Sequence, residues 1–518
     1  MPNQRRFFRP RPKETGRHQS FEQNLDGEYA FRIDQGGQSM LDTYNAATKE
    51  LQAIIKDCVD DGKSLRARGS LWSLSPVAVT DGRLIDTKAL RLAFTFSPNQ
   101  TDPAYDGDAA KLRFVESGNS ISALNNLLFA DRLSLKASGS NNGQTIAGAL
   151  STGTHGGAYR FGGLAEMVVG LHLVVGPNKH VYLERQSRPV MKPGFAQQLG
   201  ADFIQDDTLF NAALISFGSF GVIHGLMIEA RELFILNAVR FRVPYDDTLK
   251  TALANADPTL LPLPPEAAGV PTGTPYHLEV FFNPNEGTPP DEAIALVMYE
   301  EPWTEAYDPP IWDGGESGMG ASGLDVMGAL FDMIPSPLDQ LVVPILNDQV
   351  RDEFAPYVKK AIIRDLFRGE KVLGKTLACA MGMPADRAVE AQEIAFKVYK
   401  DEGDVLPVII SHRFVKATDA LLGFTRFDPT AVFEIDGLNL PSVQDYLKKV
   451  WEKLDAAGIP FTMHWGKFNA HLTPARVRQR YGDATVGQWI GAREALLENA
   501  EVRKVFTNDF LSNLGLAT

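Results

Sequence analysis

The stretch Ser138-Gly139-Ser140-Asn141-Asn142-Gly143-Gln144-Thr145-Ile146-Ala147-Gly148-Ala149-Leu150-Ser151-Thr152-Gly153-Thr154-His155-Gly156-Gly157 decides how the rest of the chain is read. Its bias toward Gly, Ser, Thr and Asn runs on to Gly163. That is too long for a plain connection, and long loops in compact domains are usually functional. Glycines let the backbone approach a flat ligand closely and adopt positive φ. The hydroxyls and amides offer donors and acceptors to the polar edges of a ring.

Two other elements flank this loop in sequence. Upstream, Arg68-Gly69-Ser70-Leu71-Trp72-Ser73-Leu74-Ser75 has the character of a strand end running into a small-residue loop. Such a loop can wrap a pyrophosphate through backbone N–H donors, although Gly-Ser turns are common on surfaces. Downstream, Leu209-Phe210 precedes Phe217-Gly218-Ser219-Phe220-Gly221-Val222-Ile223. Between and around them the chain alternates helix and strand. Met40, Tyr44, Ala47, Leu51, Ile54, Ile55, Cys58 and Val59 recur at helical spacing. Strands are predicted at 64–68, 83–86, 112–116, 133–136 and 167–175, and helices at 120–129 and 206–223. The pattern is α/β or α+β.

The 518 residues leave room for two to four domains. A formal net charge of −13 argues against a general nucleic-acid binder, which needs a basic face. It does not exclude an anionic cofactor held by backbone N–H groups. Cys58 and Cys379 are the whole cysteine complement, so neither a disulfide framework nor a metal-ligand spacing is expected. Arg5-Arg6 is followed by Phe7, Phe8, Arg9, Pro10, Arg11 and Pro12 rather than an apolar signal region. Residues 1–29 therefore read as a flexible basic arm, not a signal peptide. No run of 18 apolar residues occurs, and a cytoplasmic location is expected.

In order and spacing the three elements resemble the FAD-binding domain of the vanillyl-alcohol-oxidase / p-cresol-methylhydroxylase family. The resemblance is greatest to its aldonolactone, alditol and type II cholesterol oxidase branch. It covers roughly residues 30–235 and resumes over 405–518. It implies an α+β chain with a two-subdomain FAD-binding domain and an inserted α+β substrate-binding cap. The expected divisions are 30–238 for the FAD domain, 239–445 for the cap and 446–518 for a segment that completes the site. By resemblance, Arg68, Gly69, Ser70, Leu71, Trp72 and Ser73 hold the pyrophosphate. Ser138, Gly143, Thr145, Gly148, Ala149, Thr152, Gly153, His155 and Gly156 lie beside the flavin and pyrophosphate. Gly221, Val222 and Ile223 contact the adenine end. Many members of the branch have a histidine, bonded covalently to the flavin, where Trp72 stands here. An indole cannot form that bond, so non-covalent FAD is expected.

His464-Trp465-Gly466-Lys467 resembles the family's His-Trp-Gly-Lys segment, which implies that Lys467 sits near the flavin. A cation there can stabilise an anionic reduced flavin. The alternative is an exposed lysine at a strand end. Residues 406–415 alternate as a strand, with Ile409, Ser411, Arg413 and Val415 on one face and Ile410, His412 and Phe414 on the other. In the polyol and lactone oxidisers the matching strand carries Glu-x-Arg. Here Arg413 is kept and Ser411 replaces the carboxylate. On the next strand Val432, Glu434 and Asp436 share a face, and Glu434 can supply the missing carboxylate as proton acceptor or substrate orienter. A structural Glu434–Arg413 ion pair is the competing reading. His412 faces away from that site and reads as a satisfied core or surface histidine, not a catalytic one, and His471 is a weaker candidate for the flavin rim.

The expected activity is FAD-dependent oxidation of a CH–OH group on a polyol, lactone, sterol-like or other bulky substrate, with O2 or another electron acceptor. Oxidative cyclisation or desaturation, and flavin binding without turnover, are the alternatives. Phe281, Phe282, Met298, Tyr299, Trp303, Tyr307, Trp312, Met319, Met327, Leu330, Phe331 and Met333 suggest either apolar substrate walls or an ordinary cap core. No metal site and no oligomeric state is read from the sequence.

Overall fold

A computed structural model describes residues 5–32, 39–311, 347, 350, 354–368, 374–403 and 406–517. The helix predicted from periodicity runs Met40–Asp60, with Ser39 capping it by accepting from the Asp42 N–H. Its buried face is Tyr44, Ala47, Leu51, Ile54, Ile55 and Cys58. That is the stripe expected of an amphipathic helix.

Two sheets carry the cofactor side. In the four-stranded sheet, Arg5–Pro10, Gly27–Arg32, Arg83–Asp86 and Leu65–Arg68 lie side by side. The first pair is antiparallel and the remaining pairs are parallel. The N-terminal segment is therefore not a free arm in the described structure: residues 5–10 and 27–32 are full members of a sheet. Its arginines explain the attachment. Arg9 pairs with the buried Glu28, and Arg11 bonds Glu14 at 2.7 Å. The six-stranded sheet is ordered 202–205, 180–184, 168–174, 222–229, 112–116 and 93–94. Here the sequence reading needs one correction. The helix expected over 206–223 stops at Leu214, and Val222–Glu229 is a central strand. Phe217 (φ +54°) and Gly218 (φ +68°) take left-handed conformations that a continuing helix excludes.

The eight-stranded sheet is ordered 357–361, 234–244, 292–302, 274–282, 408–415, 430–438, 376–384 and 462–463. It begins inside the segment assigned to the FAD domain and ends with a strand from the C-terminal segment. The segments expected as cap and as C-terminal segment are thus joined by backbone pairing in one sheet. His412 is fully buried, bonded to Gln392 at 2.8 Å and stacked on Phe433 at 4.8 Å. Burial pushes its pKa down to about 3. Both cysteines are buried and unpaired. No described helix is long and apolar enough to cross a membrane.

Candidate active site

Where the three sheets meet lies a cavity of about 1380 Å³, solvent at its mouth included. The loop 68–74 forms one wall, the quoted loop from Gly139 to His155 another, and Phe217–Ile223 an end. The walls fit together by omission of side chains. A Cβ on Gly69 would overlap the Thr145 hydroxyl, so the two loops meet only because residue 69 has none. Gly221 holds φ +96° where the chain turns into the strand 222–229, a backbone that side chains rarely adopt. Leu71 carries φ +53° without being glycine. Its carbonyl accepts from the Arg17 N–H at 3.4 Å.

Most of the expected cofactor residues line this cavity: Arg68 through Ser73, Thr145, Gly148, Ala149, Thr152 and His155, with Gly221 and Ile223 at the end. Ser138, Gly143, Gly153, Gly156 and Val222 neighbour the lining residues in sequence but are not among them. Ser138 donates to Asn142 Oδ1 at 2.9 Å and so braces the loop from within. Arg68 lines the cavity, but its guanidinium meets Glu28, Glu14 (3.2 Å) and Asp86 (3.4 Å). It is an anchor for the loop more than a free cation for phosphate.

Residues present fit a polar cofactor by an independent criterion. Asn141 Oδ1, Gln144 Oε1, Ser117 Oγ, Trp72 Nε1 and His18 Nε2 are buried, belong to lining residues, and make no hydrogen bond within the protein. Buried polar atoms are paired in more than about nine cases in ten. Five orphans around one cavity call for a ligand with many donors and acceptors, as the polar edges of a flavin dinucleotide provide.

The reacting end is assembled from four distant segments. Glu434 is buried, and its carboxylate bridges the Arg413 guanidinium and the Lys467 ammonium. Arg413 Nε also meets Glu279 at 3.3 Å, and His277 meets the same carboxylate at 3.2 Å. Strand register explains the set: Glu279 faces Arg413, and Ser411 faces Glu434, across neighbouring strands. Two cations and two carboxylates balance within this set, and Asp436 adds a further carboxylate at the same end. The site offers directed dipoles rather than a positive field. Arg413, Lys467 and His464 line the cavity, whereas Glu434 and Ser411 stand behind them. Asp436, on the same face as Glu434, does line it. The expected Glu434–Arg413 contact is present, extended by Lys467 into a triad.

Two histidines face this end in defined tautomers. His464 Nδ1 accepts from the Gly466 N–H at 2.9 Å, so its proton is on Nε2. His155 Nδ1 lies 2.9 Å from the Gly156 carbonyl and donates to it, leaving Nε2 a bare acceptor. Burial, helped by Arg413, lowers the His464 pKa to about 3. Burial, then Arg413 and His464, lower that of His155 well below the usual imidazole value. Both rings are neutral at pH 7. His471 is elsewhere, bonded to Arg476 at 2.8 Å and packed 5.0 Å from Trp451.

Phe281 packs on Phe354 at 4.4 Å, Phe282 on Tyr245 and Phe396, and Trp303 on Phe129. Met298 is in the core with Phe234 and Tyr276. None of the expected aromatic and Met cap residues that are described lines the cavity. Trp312, Met319, Met327, Leu330, Phe331 and Met333 lie outside the described residues.

Comparison with known proteins agrees with this geometry. Residues 44–181 match the FAD binding domain family. The chain is 24% identical over 466 residues to an L-gulono-1,4-lactone dehydrogenase of Mycobacterium tuberculosis, covering 89% of this chain and 92% of that one. It is 26% identical over 205 residues to a D-arabinono-1,4-lactone oxidase of Yarrowia lipolytica, covering 40% and 34% respectively. Among solved structures, the fold is similar to cholesterol oxidase from Brevibacterium sterolicum, with a TM-score of 0.68 at 13% identity over 99% of this chain and 98% of the other. It is similar to a chitooligosaccharide oxidase with a TM-score of 0.57 at 11% identity, over 95% of this chain and 93% of the other. Residues 44–181 thus carry an FAD binding domain, and the whole chain has a fold similar to that of these oxidases.

Proposed function

We propose that this enzyme oxidises a CH–OH group of a polyhydroxylated, lactone- or sugar-like substrate, using FAD held without a covalent bond. The observation that carries this reading is the triad of Arg413, Glu434 and Lys467. It presents two cations, fixed on one buried carboxylate, to a cavity otherwise built for a polar cofactor. The lactone-oxidising relatives support the substrate class. So do the polar walls at this end: His155, His464, Arg413, Asp436 and Lys467.

When bound, FAD supplies the two-electron acceptor for the hydrogen on the carbinol carbon. The chain's own residues do the rest. Arg413 and the His464 Nε2–H donate to the substrate oxygen as it gains negative charge. His155 Nε2, a bare acceptor with a lowered pKa, orients a neighbouring hydroxyl of the polyhydroxylated substrate and not the one that reacts. Asp436 is the carboxylate placed to take the hydroxyl proton, because Glu434 lies behind the cations. Glu434 keeps Arg413 and Lys467 in place.

Trp72 supports dissociable FAD: it lines the cavity where the resemblance expects a bonding histidine. Acid precipitation of the purified protein tests this, with yellow supernatant expected over a colourless pellet. A yellow pellet would refute it. The activity is tested by turnover on aldonolactones, polyols and sterols, read both as oxygen consumption and as dye reduction. A product two hydrogens lighter at a carbinol is expected from the lactone or polyol set. A new ring or C=C bond would move the protein to oxidative cyclisation or desaturation.

A further inference from the structure

His18 belongs to no element that the FAD-binding loops would call for, yet it is fully buried and lines the cavity. It comes from the N-terminal segment that folds across the outside of the loop 69–73. Contacts of Arg17 and Glu14 fix that segment there, and an internal turn shapes it. The Arg17 N–H donates to the Leu71 carbonyl at 3.4 Å, and the Arg17 guanidinium lies 4.3 Å over the Trp72 ring. The Gly16 N–H donates to the Phe21 carbonyl at 3.1 Å, closing a tight turn in which Gln19 takes φ +52°. Glu14, two residues earlier, is buried against Arg68 at 3.2 Å.

The His18 ring is held from the opposite side. Its Nδ1 shares a hydrogen bond of 3.1 Å with the Thr376 hydroxyl, at the start of a strand in the eight-stranded sheet. Its edge meets Trp72 with centroids 6.0 Å apart. Burial and then Arg17 lower its pKa to about 4, with the Trp72 backbone acting weakly the other way, so the ring is neutral at pH 7. Its Nε2 has no partner of good hydrogen-bond geometry within the protein, the Trp72 backbone being the other polar group at the ring. A positioned, desolvated ring nitrogen without a partner is costly unless a ligand completes it.

We infer that His18 is a cofactor-binding residue: Nε2 hydrogen-bonds the bound FAD, and the segment 14–19 closes over the cofactor as a strap. The strap bridges the loop 69–73 and the substrate-side sheet, and it retains FAD where Trp72 removes the covalent option. This rests on the dissociable-FAD reading above.

The test uses full-length apoprotein titrated with FAD, read by quenching of flavin fluorescence, together with the dissociation rate on dilution. His18→Leu is expected to weaken FAD about tenfold, the worth of one good buried hydrogen bond. His18→Asn, whose amide reaches only the Nδ1 position, is expected to behave like His18→Leu. His18→Gln reaches the Nε2 position and should stay within about threefold of the wild type. Equal affinity and equal dissociation rate in wild type, H18N and H18Q overturn the inference, even if H18L fails to fold. The melting temperature of each apoprotein separates lost binding from lost structure. Wild-type protein that takes up no FAD, or that keeps its flavin through acid precipitation, brings down the underlying reading instead, before any variant is made.

Discussion

The two ends of the cavity are built by opposite means. The cofactor end is made of contiguous loops, 68–74, 139–155 and 217–223, which act mainly through backbone and small side chains. The reacting end is made of single long side chains from residues 279, 413, 434 and 467, brought together by strand register and one turn. At Gly69 and Gly143 the first end leaves no room for an added Cβ. The second tolerates no lost charges, because each buried ion has its partners inside the protein. One is a problem of shape and the other of electrostatic balance.

The comparison makes the electrostatic end the more fragile. Glu434→Gln leaves the buried Arg413 and the half-buried Lys467 sharing one fewer carboxylate, and breaking a buried set costs about 3–5 kcal/mol. The expected outcome is a strong loss of turnover with FAD still bound after reconstitution, measured by steady-state kinetics and flavin content. Near-normal turnover in E434Q would show that Arg413 and Lys467 do not need this counter-ion. Next in size is Gly69→Ala. Overpacking costs typically about 1–3 kcal/mol, which is roughly ten- to hundredfold in FAD affinity. Here flavin titration should show weak FAD while the strands of the reacting end keep their stability. A wild-type FAD affinity in G69A would mean that the two loops are not shape-limited.

A third effect lies outside both ends and is read as a pH slope. His412 has a folded pKa of about 3, below the ordinary 6.5. The stability from its neutral ring is therefore fully present above pH 6.5 and is lost as pH falls from there toward 3. In that window it contributes a slope of about 1.4 kcal/mol per pH unit. Denaturant melts of His412→Phe between pH 4 and 6 should show a slope shallower by that amount. An unchanged slope would mean that the ring is not buried neutral.

The unequal legibility of the two ends has the same origin. The 138–157 loop, Gly69 and the Phe217–Ile223 segment stood out because their composition is a local property of consecutive residues. Arg413 and Glu434 were reachable too, since period-two alternation assigns faces within a strand. The helix expected over 206–223 failed at Leu214 because apolar residues near Phe217–Ile223 fit a buried strand as well as a helix. The N-terminal segment was misread because its basic composition gives no hint that its arginines pair with its own Glu14 and Glu28 and with Asp86, or that its carboxylates meet Arg68.

By itself the sequence determined the FAD-binding class, the small-residue loops and the absence of a bonding histidine at Trp72. These are carried by residue identity at neighbouring positions. Only the tertiary structure decided that Lys467 joins Arg413 on Glu434, that Glu279 backs the same arginine, and that His18 enters the cavity. Those contacts span 33 to more than 350 residues of chain. Sequence distance carries no record of them, because sheet order and register, not spacing, set which side chains meet.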